Sequence, residues 1–299
     1  MAGPAREQVF PLVAQRRVTG VSAGAQASTR RGPGSEVATT RPYRRGDNMR
    51  HVDWAASARV SAARDADESL RVVTVLDRRP EMALFPAAFP WLDKAAAATE
   101  AAALVAASTL AARGAPALLD LADQAPVWLK PRARNGTRIR LHVAATPRFD
   151  APANVLERSF DLLLLHRAEL PADTFVFVLS DFAECPDDDL WRRLVERRWD
   201  VVPVLIQDPR WERSFPDLGG LGLPVADPRT GGAALLALSR PEAKAQRQRN
   251  EERYTELRRR FEALRLDPVI LGDAAPEAVL GAFLAWADAR VQRLRRRGA

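Results

Sequence analysis

The sequence predicts an α/β fold: a doubly wound, mostly parallel sheet with helices on both faces. Two apolar runs rich in β-branched and aromatic residues, at 70–77 and 174–181, each end at an aspartate. Continuous apolarity of this kind marks a strand buried on both faces. Such runs alternate with stretches of helical periodicity, the order that winds helices over both sides of one sheet. Hydrophobic residues fill 47% of the 299 positions, enough for a sizeable core.

The elements follow in order. Residues 1–69 are poor in long apolar runs and rich in Gly, Ser, Thr and Arg, so they form an N-terminal irregular or β segment, with 18–34 as a loop or exposed hairpin. The α/β domain is expected over 70–299. Its first strand is 70–77, followed by an alanine-rich helix over 91–113 closed by Gly114. Short strands are expected at 117–121 and 127–130, and a helix over 152–166. After the strand at 174–180 comes a helix over 187–198, opened by three acids as the helix dipole favours. A strand follows at 201–206, where Pro203 hints at an edge or bulge. Residues 209–234 read as loop, 241–264 as a long charged helix, 267–271 as a strand and 276–297 as a final amphipathic helix.

Charge and composition exclude several classes. No apolar run approaches the roughly 20 residues that span a bilayer, and the first residues lack a secretion signal's pattern, so a cytoplasmic location is expected. A single cysteine and three histidines leave no internal disulfide and no cysteine/histidine metal cluster. The net charge of +7 comes almost wholly from arginine. Arginine-rich helices at 241–264 and 276–297 raise the alternative of nucleic-acid binding. Glu251, Glu252, Glu256 and Glu262 interrupt the first helix's basic face, however, so nucleic acid is not the favoured partner.

Catalytic signatures are missing. Gly219 to Gly222 has neither a phosphate-loop lysine nor dinucleotide spacing, and Ser180 is not set in a nucleophile elbow. Cys185 stands among Asp181, Glu184 and Asp187 to Asp189, whose charge opposes a thiolate. His51, His142 and His166 read as structural or incidental, and no enzyme activity is expected.

The densest pattern lies near the N-terminus: Arg41, Tyr43, Gly46, Asp47, Arg50, Asp53, Trp54, Ser57 and Arg59 within nineteen residues, preceded by Gly34-Ser-Glu36. Gly46 suits a turn, and Asp47 suits the cap of a short helix. On that helix Arg50 and Asp53 are neighbours, and Trp54 supplies a large apolar anchor. Read physically, the stretch is a structural clamp of ion pairs around a tryptophan that can display Arg50 or Arg59 to a partner.

This pattern resembles the signature of the domain-of-unknown-function 58 family, whose members are von Willebrand factor A-like. The likeness extends through the strand ends at Asp77 and Ser180-Asp181, Asp227 before Thr-Gly-Gly and the arginine-rich terminal helix, most of the chain. It implies a non-enzymatic protein-interaction module, an adaptor or partner of a MoxR-type AAA+ ATPase and of other proteins of the same operon. It also implies a place for Mg²⁺ at the strand ends, built from Asp-x-Ser-x-Ser, a threonine and a later aspartate. Here that motif reads Asp77-Arg78-Arg79-Pro80-Glu81, with both serines replaced. Asp181 holds the last acid's place, and Thr137 or Thr146 the threonine's. A guanidinium donates only, so Arg79 is expected to replace the ion and leave the site metal-free. The competing arrangement swings Arg79 outward and lets Glu81 supply a ligand.

Overall fold

The computed structural model describes residues 8–15, 70–84, 91–122, 126–145, 148–227, 229–230 and 232–298. The signature from Arg41 to Arg59, His51 and Thr146 lie outside them. Six strands form the central sheet: β1 (Arg71–Leu76), β2 (Ala115–Asp120), β3 (Val127–Leu129), β4 (Phe175–Ser180), β5 (Asp200–Ile206) and β8 (Val269–Leu271). Their spatial order is β3-β2-β1-β4-β5-β8. Only β3 is antiparallel, joined to β2 with Leu119 opposite Trp128; the other pairings are parallel. The fold is therefore a mixed α/β sheet flanked by helices, consistent with a Rossmann-like or von Willebrand factor A-like arrangement.

Alternation along each buried strand divides the core in two. On one face Val72 and Leu76 of β1, with Phe175, Phe177 and Leu179 of β4, pack against α1 (Lys94–Ala111), α2 (Asn135–Ala145) and α6 (Pro276–Gly298). On the other, Val73, Val75, Val176 and Val178 pack against α3 (Val155–Leu165), α4 (Asp188–Glu196) and α5 (Arg240–Ala263). The alanines Ala97, Ala98, Ala101 and Ala102 of α1 are all buried, small enough to bring this helix close against the sheet. Asp93 starts it by accepting a hydrogen bond from the Ala96 N–H at 2.8 Å.

Residues 8–15, grouped by sequence with the N-terminal segment, pack into the first core. Phe10 sits 4.6 Å from Phe283 between ring centroids, and its N–H donates to the Ser108 hydroxyl. Three expectations are corrected. Arg113 (φ 57), not Gly114, makes the left-handed reversal that ends α1; Gly114 is needed because a Cβ there would meet the Leu70 carbonyl oxygen at 2.7 Å. Pro203 lies in an interior strand: it keeps register with Val178 of β4, and β8 joins β5 only from Val204, so the missing N–H costs no ladder bond on that side. The region expected as loop contains a hairpin, β6 (Gly222–Ala226) paired with β7 (Ala233–Ala237). Its Gly, Pro and Ala are poor strand formers, so only cross-strand pairing reveals it.

Candidate functional site

Aspartates stand at the carboxyl ends of four adjacent strands: Asp120 on β2, Asp77 after β1, Asp181 after β4 and Asp208 after β5. All four are buried. Helix α1 leaves β1 over one face, while α4 leaves β4 over the other, so Asp77 and Asp181 flank the point where the winding reverses. Open α/β sheets bind ligands at this point.

Arg79 fills the gap between these two carboxylates. Its Nε donates to both oxygens of Asp77 at 3.0 Å, and its Nη2 reaches Asp77 Oδ2 at 2.6 Å and Asp181 Oδ1 at 3.1 Å. The side chain is 1% exposed. Lys94, the first residue of α1, takes the other Asp181 oxygen, donating to Oδ2 at 2.7 Å and to Glu212 Oε1 at 2.8 Å. The Ser180 hydroxyl donates to Asp77 Oδ2 at 2.6 Å and accepts from the Phe182 N–H. The Ala183 N–H also donates to Asp181 Oδ1. Burial alone would raise the Asp181 carboxyl, but Lys94 and Arg79 outweigh it and hold the group below its usual range. Burial likewise opposes the Lys94 charge, yet Asp181 and Glu212 raise that ammonium above its ordinary value.

Both oxygens of Asp77 and both of Asp181 are thus occupied by protein donors, with a guanidinium and an ammonium beside them. A divalent ion needs several free oxygen ligands, and these residues do not fit one. Glu81, the alternative ligand, is engaged elsewhere: it lies in the 3₁₀ turn Pro80–Ala83 and pairs with Arg229 from the β6–β7 turn. Arg229 also reaches Glu184 at 3.3 Å. Thr137 is exposed on α2, and Asp227 closes the hairpin turn, accepting from the Thr230 hydroxyl at 2.8 Å. Among the described residues, no group of three His, Cys, Asp or Glu side chains is placed to hold a metal.

The family whose model matches residues 39–260 is described as "Protein of unknown function DUF58". The chain belongs to the DUF58 family. The solved crystal structure of conserved hypothetical protein BatB from Bacteroides thetaiotaomicron is similar at 9% identity, covering 74% of this chain and 100% of that one, with a TM-score of 0.42. No curated protein matches.

The partners of this DUF58 site that sequence reasoning missed are Lys94, Glu212 and Asp208, while Ser180 was marked only as part of its strand end. Asp208 accepts from the Leu92, Arg210 and Trp211 N–H groups. A signal for Asp208 was present, since Ile206-Gln-Asp208 repeats the apolar-run-to-aspartate pattern of Asp77 and Asp181. His142, read as incidental, has its Nε2 2.9 Å from Asp120 Oδ2, which also accepts from Arg78 Nε at 3.0 Å. The Cys185 thiol is pushed up to about 11, chiefly by burial, with Asp188 and Glu157 adding to it against the opposing pull of Arg260. No helix among the described residues is long and apolar enough to cross a membrane.

Proposed function

We propose that this DUF58 chain is a non-enzymatic, metal-independent protein-interaction module that works with a MoxR-type AAA+ ATPase in the maturation or remodelling of other proteins. The observation that carries the reading is Arg79 seated between Asp77 and Asp181 at the reversal of the sheet. The place where such folds take a ligand is filled from within the chain, and its one hydroxyl–carboxylate pair, Ser180 with Asp77, is buried beneath Arg79 and away from solvent. Recognition then belongs to the surface around this plug, with the exposed Arg229 and Glu184 and the half-buried Glu81 at its rim. The identity of the partner rests on the signature at Arg41 to Arg59 and its family resemblance.

Two measurements test this. The tagged full chain should co-purify with the MoxR-type ATPase encoded beside it, and failure in both the ATP and ADP states overturns the partnership. Calorimetric titration of the chain with Mg²⁺ or Mn²⁺ should give no saturable heat; micromolar binding abolished by Asp77→Ala overturns metal independence.

A further inference from the structure

The opposite end of the sheet carries a second feature of a different kind. Helix α5 ends beside the start of β8, and the last third of α6 passes the same place. Between them lies an open cavity of about 520 Å³. Five arginines line it, Arg258, Arg259, Arg265, Arg290 and Arg293, against two carboxylates, Glu262 and Asp267. The volume lies within the range of small-molecule sites, roughly 300–1,000 Å³.

The arginines are not equivalent. Arg290 is 1% exposed at the floor, where Nη1 donates to Asp200 Oδ2 at 2.8 Å and to the Val13 carbonyl at 3.0 Å. Its Nη2 is buried and has no hydrogen-bond partner among the described residues. Arg293 is committed to Asp267, and Arg259 lies at 3.9 Å from Glu256. Arg258 and Arg265 are exposed, and neither has a carboxylate partner among the described residues. Arg258 instead lies over the Tyr254 ring, 5.9 Å from its centroid. The lip therefore holds two uncompensated guanidinium groups above a fixed buried one. Guanidinium forks match the paired oxygens of phosphate groups, and two such forks without an ion-pair partner among the described residues suit a ligand that carries more than one phosphate.

We propose that this groove binds a small polyphosphate anion, inorganic pyrophosphate or the phosphate tail of a nucleotide, through Arg258 and Arg265 with Arg290 beneath. The site lies at the amino end of the strands and does not depend on the partnership proposed above; one can fail while the other stands.

The probes are pyrophosphate and ATP, titrated calorimetrically into the full chain at about 50 mM salt, where charge pairing is little screened. Saturable one-to-one binding is expected, weakened at least ten-fold in the double variant Arg258→Glu with Arg265→Glu, whose circular dichroism and melting temperature should stay close to the parent's. Tighter binding of ATP than of pyrophosphate assigns the nucleotide source, and equal binding assigns the polyphosphate alone. The proposal is overturned by no saturable binding of either probe, or by binding that survives the double reversal. A single-stranded oligonucleotide or an acidic peptide that binds more tightly than both probes also overturns it, in favour of a macromolecular ligand.

Discussion

The two ends of the sheet solve the same electrostatic problem with opposite outcomes. At the carboxyl end, Arg79 bridges Asp77 and Asp181; at the amino end, Arg290 bridges Asp200 and Asp267, at 2.8 and 3.3 Å. Each is a buried arginine set between two acids. Yet Asp181 is held below its usual range, whereas Asp200 lies above it. Burial raises both. Asp181 overcomes it with two cations, Lys94 and Arg79, and the Ala183 N–H. Asp200 has a single cation, Arg290, helped by the Gln15 N–H and opposed by Asp267. In this molecule one cation does not offset the burial of a carboxylate and two do, because removing the charge from water costs several kcal/mol.

The largest expected effect follows directly. At neutral pH, Asp181→Asn leaves two buried cations short of an acid and should cost about 3–5 kcal/mol. Asp200→Asn removes a charge that burial already opposes, and Arg290 keeps Asp267 and the Val13 carbonyl. Its cost should be about 1–2 kcal/mol. Denaturant midpoints of the two variants check this, and equal losses would break the comparison.

The pH dependence sharpens it. Asp181 is depressed in the folded state, so its contribution is present above the unfolded value of about 3.9 and is lost as pH falls through the folded value. Asp200 is raised, so its contribution is present below about 3.9 and is lost as pH rises through the folded value. The cost of Asp181→Asn should therefore hold from neutral down to mildly acid pH and shrink only below about 4. The cost of Asp200→Asn should shrink in the other direction, as pH rises from about 4 towards neutrality. Stability curves of both variants and the parent, measured across this range, should diverge with opposite slopes; parallel curves would refute the assignment.

How much of this was legible in the sequence depends on chain distance. Buried parallel strands are written as continuous apolar runs, so β1, β4 and β5 could be read off, and each announced an aspartate at or just after its end. Arg79 lies two residues from Asp77, near enough for its capture of that carboxylate to be anticipated. Lys94 reaches Asp181 across 87 residues and Glu212 across 118; no local pattern links them until the topology places α1 beside the ends of β4 and β5. The amino-end cluster was illegible for the same reason, since Arg290 and Val13 are 277 positions apart. The β6–β7 hairpin was hidden differently, by residues whose own preference is not for strands.

The smallest effect separates fold from ligand at the amino end. Arg113, Arg198 and Arg265 each follow a helix, α1, α4 and α5, and each has a left-handed backbone, with φ of 57°, 61° and 57°. A side chain pays about 1–2 kcal/mol for that conformation, whereas glycine adopts it freely but loses more entropy on folding, roughly 0.4–1 kcal/mol. Arg265→Gly should therefore stabilise the chain slightly, by about 0.5–1 kcal/mol, because the Arg265 side chain is exposed at the groove's lip and packs no core. The same substitution removes one of the two uncompensated guanidinium groups and should weaken pyrophosphate binding several-fold. Arg198→Gly, outside that lip, should give the stabilisation alone. A calorimetric pair of melting temperature and pyrophosphate affinity for the two variants decides it: if both lose affinity equally, Arg265 has no place in the groove, and its left-handed turn is only the way α5 hands the chain to β8.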